Sequence, residues 1–195
     1  MSIKNRKIKV GVIFGGRSGE HEVSLVSARS VIENLDNRKY QAVPICISKR
    51  GEWAEWLKNF SNKQKIDVFF PLIHGSSGED GILQGFLELT GKPYVGCGVL
   101  ASALGMDKVI QKQLFKEQGL PIVDFIWFSQ AEWQKSPSKI LRRIESGKKK
   151  EQRIGYPCFV KPANLGSSVG VTKAHHRQEL IKGILEAWRY DLKIL

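Results

Sequence analysis

Short apolar runs alternate with stripes of three- and four-residue spacing through the first hundred residues. Ile8 to Phe14 (IKVGVIF) is an apolar, β-rich run stopped by Gly15 and Gly16, which predicts a buried strand feeding a glycine loop. From Glu22 onward Val23, Val26, Ala28, Val31, Ile32 and Leu35 recur at the spacing of an amphipathic helix. Tyr40 to Ser48 and Asp67 to Ile73 predict two further strands, and Pro44 and Pro71 argue against a central position for either. Between them Trp53, Trp56, Leu57 and Phe60 predict a short packed helix. A glycine-rich loop from Gly75, a helix over Ile82 to Leu89 and a short strand at Pro93 to Val95 follow. Helices on both faces of a mostly parallel sheet satisfy such alternation most economically.

Beyond Gly105 the pattern changes, which places a domain boundary at about residue 105 and divides the chain into 1–105 and 106–195. Val109 to Lys116 reads as a helix stopped by Gly119 and Pro121, and Ile122 to Phe128 as a strand. A second helix starts after Ser129, a good N-cap residue. Pro157 to Lys161 and Val169 to Lys173 are β-like and joined by the loop ANLGSSVG. Gln178 to Tyr190 predicts an amphipathic helix with Leu180, Ile181, Ile184, Leu185 and Trp188 on one side, and a strand begins at Leu192. With so few strands after residue 105, Leu180, Ile184 and Trp188 are expected to lie on an uncovered apolar face.

Composition narrows the class. A chain of 195 residues that is 42% hydrophobic and 26% charged, with five Trp and nine Phe, is globular in composition rather than disordered. Cys46, Cys97 and Cys158 are odd in number and outside any CxxC spacing, which argues for a reducing compartment and against a thiolate metal site. No stretch approaches the roughly 18 apolar residues of a membrane span, and Val10 to Phe14 is too short for a signal peptide, so the protein is expected to be soluble and cytoplasmic. Half of the net charge of +12 lies between Lys135 and Arg153, including Lys148, Lys149 and Lys150. Such a run is ordinarily a solvated helix face or loop. Without interleaved stacking aromatics it does not predict nucleic-acid binding.

Three loops carry candidate chemistry. FGGRSGEHEVSL (Phe14 to Leu25) runs from strand through glycines into a helix, whose free N–H groups favour an anion. There Glu20 and Glu22 can either complement the helix dipole or bind an ammonium group. The spacing is not that of a dinucleotide fingerprint. HGSSGEDG (His74 to Gly81) follows another strand, so His74 and Glu20 can face one crevice at the carboxyl ends of the strands. Alternatively, the segment is a tight turn in which Glu79 and Asp80 cap the next helix. In VKPANLGSSVGV (Val160 to Val171), Lys161 at a strand end and Gly166, Ser167, Ser168 and Gly170 can form a phosphate clamp, and the alternative is a plain hairpin loop. It is not a Walker loop, because the lysine precedes the glycines. His21, His175 and His176 lack metal-ligand spacing.

Taken with the MDK at Met106 to Lys108 and the ILQGFLEL after Gly81, these strings, in this order and spacing, closely resemble the D-alanine–D-alanine ligases of bacterial cell-wall synthesis. The resemblance implies an α/β chain: an N-terminal open parallel-sheet domain, Rossmann-like and preceding the ATP-grasp, then the incomplete first part of an ATP-grasp domain. It implies ATP-dependent formation of D-alanyl-D-alanine through an acyl phosphate, for peptidoglycan precursor synthesis. By the same resemblance, Glu20 holds the ammonium of the first D-alanine and joins Ser167 in a hydroxyl network. Lys108 and Lys161 contact ATP phosphates, Ser168 lies on the phosphate-covering loop, and His74 lines the substrate pocket. Magnesium, or manganese, is expected to be held by residues that the family carries beyond the position of Leu195, so the chain is expected to be an N-terminal portion and inactive alone. Dimerisation through the first domain is a further implication. The alternative is a non-catalytic remnant, or the binding half of a split ligase that pairs with a separately encoded C-terminal half. Use of D-lactate or D-serine as second substrate is not decided by these residues.

Overall fold

Eight residues, Ile8–Gly15, form β1, the middle strand of a three-stranded parallel sheet in the order β2-β1-β3. In this computed structural model the described residues are 6–53, 65–146 and 154–195, with Ser146 described by its backbone. Trp56, Leu57 and Phe60, and with them the rest of the helix predicted around Trp53, lie outside these residues, as do Lys148, Lys149, Lys150 and Arg153. The chain divides into two units, Met1–Ala103 and Leu104–Leu195.

In the first unit β1 pairs with β2 (Tyr40–Ile47) and β3 (Val68–Pro71), with Val12 opposite Pro44 and Phe70. The unbroken apolar run of β1 follows from its burial on both faces, where Val10, Val12 and Ile13 are inaccessible or nearly so. Pro44 is accommodated because β2 lies at the end of the strand order, and Pro71 is the last residue of β3. The strand expected at Pro93 to Val95 is reduced to one bridge, Phe69 to Tyr94.

One face of this sheet packs on α1 (His21–Asn34) through Val10, Val12 and Ala28, and the other on α2 (Ile82–Leu89) through Ile13, Phe69, Leu83 and Leu87. The stripe of α1 is not quite the predicted one. Val23 and Val26 are 56% and 69% exposed, and the buried positions are Ser24 and Ala28. The Ser24 hydroxyl donates to Leu72 O at 2.5 Å and accepts from Gly15 N at 2.7 Å, so two polar contacts turn the helix away from its apolar register. Helix α3 (Val99–Met106) was not marked by periodicity, since its apolar residues form no stripe and Ser102 is its buried residue.

The second unit starts with α4 (Lys108–Glu117). The strand expected over Ile122 to Phe128 forms only as β4 (Phe128–Ser129), because its partner β7 (Lys193–Ile194) offers two residues. Ser129 caps α5 (Gln130–Lys135) as predicted, accepting from Glu132 N at 3.2 Å while the Glu132 carboxylate accepts from Ser129 N at 2.8 Å. The first part of the basic run is helix α6 (Pro137–Ser146) with Ile140 and Ile144 buried. Strands β5 (Cys158–Val160) and β6 (Thr172–Ala174) pair antiparallel, and α7 (Arg177–Ala187) packs on them. Lys161 exchanges backbone hydrogen bonds with Leu195 at 2.7 and 2.9 Å, joining β7 to the end of β5.

The uncovered face does not occur. Leu180 is 2% and Ile184 0% exposed. Together with Phe128, Ile140, Ile144, Val160 and Ile194 they form one core, and Trp188 packs edge-on to Trp133, with ring centroids 5.6 Å apart. The physical reason lies in α5 and α6: two helices within a charged stretch fold their few apolar residues back over α7. Leu185, placed on the same side by spacing, is instead exposed. No described helix is long and apolar enough to cross a membrane.

Candidate functional site

In the first unit the end of β1 and the start of α1 are joined by a turn that requires glycine. Gly15 and Gly16 both have φ of +91°, and a side chain on Gly15 would strike the Ile47 carbonyl oxygen. Glu20 is the N-cap residue of α1, yet its carboxylate makes no capping hydrogen bond. Instead its Oε2 lies against the backbone of the next loop, so close that a Cβ built on Gly75 would be 2.5 Å away. Ser18 ties the two segments, its hydroxyl donating to His74 O at 2.7 Å and accepting from Glu20 N at 3.2 Å. Glu20 and His74 are therefore neighbours at the carboxyl ends of β1 and β3. Glu22 points elsewhere, paired with Lys49 at 2.6 Å, which lowers its carboxyl pKa.

The turn-and-cap alternative for HGSSGEDG holds at the same time. Glu79 accepts from Gly75 N at 2.9 Å, and Asp80 accepts from Ser77 N at 2.8 Å and Ile82 N at 3.1 Å. The acids fold the loop and thereby fix His74, whose Nε2 is 3.0 Å from the Ser27 hydroxyl and whose Nδ1 is 3.8 Å from Glu79 Oε1.

In the second unit Lys108 opens α4, whose N-cap Asp107 accepts from Val109 N at 3.0 Å and Ile110 N at 3.2 Å. Burial works to raise the Asp107 carboxyl, but its ion pair with Lys193 and these N–H groups outweigh it and leave the pKa lowered. The Lys108 ammonium donates to the carbonyls of Leu165 and, at 3.4 Å, Ala163. Asp191 takes hydrogen bonds from Asn164 N at 2.7 Å and Nδ2 at 3.0 Å. The base of the ANLGSSVG loop is thus pinned, while its tip carries Ser167 and Ser168 at φ of 50° and 59°, left-handed conformations uncommon for serine. Gly170, at φ of 69°, passes so close to Pro162 and Tyr190 that a Cβ would lie 2.8 Å from each.

Lys108, Lys112 and Lys161 line one cavity of about 560 Å³ with apolar walls that include Phe125, Ile144, Val160 and Ile184. Burial, then the charge of Lys161, pushes the Lys108 ammonium pKa down, and the same two causes act on Lys112. Lys112 was missed from the sequence, although it stands one helical turn after Lys108 on the same face. Its Nζ donates to Val123 O at 3.2 Å and sits 5.4 Å from the Phe125 ring centroid. Among the described residues no group of three or more His, Cys, Asp or Glu side chains is placed to hold a metal ion.

A family model described as D-ala D-ala ligase N-terminus matches residues 9–65 and 54–97, and one described as D-ala D-ala ligase C-terminus matches residues 114–195. The chain belongs to the D-alanine–D-alanine ligase family. It is 43% identical to the D-alanine–D-alanine ligase of Natranaerobius thermophilus over 97% of this chain and 59% of that protein. To the D-alanine–D-alanine ligase of Thermoanaerobacter sp. (strain X514) it is 46% identical over 97% of this chain and 60% of the relative. Among solved structures it is similar to the VanG D-Ala:D-Ser ligase from Enterococcus faecalis, with a TM-score of 0.79 and 33% identity, covering 97% of this chain and 62% of that one. The chain thus spans about 60% of the length of these D-alanine–D-alanine ligases. Its mixed α/β fold with a parallel sheet is that of the family's ATP-grasp structures.

Proposed function

We propose that this chain supplies the first-substrate pocket and the phosphate-binding lysines of an ATP-dependent, ADP-forming ligase that joins two D-alanines for peptidoglycan precursors. The observation that carries this reading is the convergence of Lys108 and Lys161 on one cavity, with Lys108 also fastening the loop that bears Ser167 and Ser168. A cavity of about 560 Å³ falls in the range of small-molecule sites. Its apolar walls suit a purine, and three ammonium groups against the single acid Asp124 among its described lining residues suit a polyphosphate. Magnesium finds no acidic cluster among the described residues.

In this reading Glu20 takes the ammonium of the first D-alanine and His74 lines its pocket. Lys108 and Lys161 hold fixed positive charge where negative charge collects on the transferring group, a charge placement that needs no reorganisation during the reaction. Ser167 and Ser168 offer hydroxyls and N–H groups from a strained loop tip. ATP gives its γ-phosphoryl group to the carboxylate of the first D-alanine, leaving ADP. The amine of the second D-alanine then displaces phosphate to form the peptide bond.

The test is D-alanine-dependent phosphate release from Mg-ATP, run beside equilibrium binding of each ligand. Turnover supports the ligase in full, and binding of both ligands without turnover supports the substrate-binding role alone. A protein that binds neither overturns the proposal.

A further inference from the structure

His74 is held between two side chains that constrain where its proton sits. On one side Glu79 Oε1 lies 3.8 Å from Nδ1, and on the other the Ser27 hydroxyl lies 3.0 Å from Nε2. A neutral imidazole has one donor nitrogen and one acceptor, while an ionised carboxylate only accepts. The negative charge of Glu79 therefore favours a proton on Nδ1, and the Nε2 lone pair is left to accept the Ser27 O–H. A helical serine would otherwise bond back to the carbonyl four residues earlier. Ser27 is also fixed in space, because Ser24, three residues before it on the same helix, is bonded to both Gly15 and Leu72.

We propose that Ser27 is a positioning residue that sets the His74 imidazole in its Nδ1–H tautomer and fixes the ring plane at the wall of the D-alanine pocket. The assignment of that pocket rests on the function proposed above, whereas the tautomer follows from the three side chains alone. With Nε2 occupied, the N–H of His74 is presented on the side of Glu79 and the HGSSGEDG loop. Without the hydroxyl, Nε2 loses its donor and the ring is free to rotate or to carry its proton there.

Nitrogen-15 imidazole shifts of the labelled chain test this at a pH where the ring is neutral, with the His74 signals identified by their loss in His74→Gln. The wild type should show protonated Nδ1 and unprotonated Nε2. Ser27→Ala should move the proton to Nε2 or average the two signals, and Ser27→Thr, which keeps the hydroxyl, should restore the wild-type pattern. Alanine is a good helix former, and circular dichroism confirms the fold of each variant. A wild type protonated on Nε2, or a Ser27→Ala spectrum unchanged at His74, would overturn the proposal. A D-alanine titration on the same samples separates the two readings. If D-alanine moves no resonance of the first unit, the pocket assignment fails while the tautomer result stands on its own.

Discussion

Lys108→Met separates a binding role from a scaffolding role, because the structure gives this side chain both kinds of contact. Its ammonium donates to the carbonyls of Ala163 and Leu165, and burial together with Lys161 disfavours its charge. A hydrogen bond from a charged donor contributes about 1.5–3 kcal/mol. Here that gain is offset by the desolvation of a half-buried ammonium and by its repulsion from Lys161, both of which the substitution relieves. Methionine also preserves most of the apolar stem. The net loss of stability should therefore be about 1 kcal/mol. ATP, in contrast, loses one charge-assisted contact with nothing in return, about 1.5–3 kcal/mol, which is roughly 10- to 150-fold in Kd. Urea unfolding and calorimetric titration with ATP on the same preparations read the two numbers. A stability loss of about 3 kcal/mol or more with unchanged ATP affinity would refute the argument and make Lys108 a structural tether of the loop.

Other outcomes follow from the same geometry. Glu20→Gln should weaken D-alanine binding roughly tenfold or more, the worth of a charge-assisted contact, with a smaller effect on the melting temperature because glutamine keeps the size and one accepting oxygen of the side chain; isothermal titration and thermal unfolding check both. The folded-state pKa of Lys108 is lowered, so its ammonium destabilises the fold at pH below that value and the penalty is relieved as pH rises towards 10.5. Over the same alkaline window ATP affinity should fall, and Lys108→Met should flatten that fall. Ile184→Ala, at a position with no exposure in the core of the second unit, should cost about 2–5 kcal/mol, measured by urea unfolding. A cost under about 1 kcal/mol would mean that this core is not closed.

What could be read in the sequence depended on whether local pattern and tertiary partner agreed. Strand β1 was legible because burial on both faces demands an unbroken apolar run, and α2 because its stripe faces the sheet. The face of α1 was misread because the Ser24 hydroxyl makes two hydrogen bonds that outweigh the exposure of Val23 and Val26, and spacing carries no trace of that. Ile122 to Phe128 has strand composition, but a strand also needs a partner, and β7 meets only Phe128 and Ser129. Helix α6 was hidden by charge, although Ile140 and Ile144 stand four apart and close the core over α7. At the candidate sites, Glu20, His74 and Lys161 were visible as residue types in or beside glycine-rich loops, and Lys108 only through the resemblance that its MDK string helps to carry. Lys112 was readable from its one-turn spacing after Lys108, whereas Ser27 was not, because its bond to His74 spans two elements far apart in sequence.

In the proposed function the two units bind different ligands, D-alanine through Glu20 and ATP through Lys161. Equilibrium titration of D-alanine and of ATP against the wild type, Glu20→Gln and Lys161→Ala tests it most directly. A crossed result is expected: Glu20→Gln weakens D-alanine roughly tenfold or more and leaves ATP alone, while Lys161→Ala does the reverse, in keeping with one lost charge-assisted contact in each case. Both variants binding both ligands as the wild type does, or Lys161→Ala losing D-alanine while keeping ATP, would contradict it.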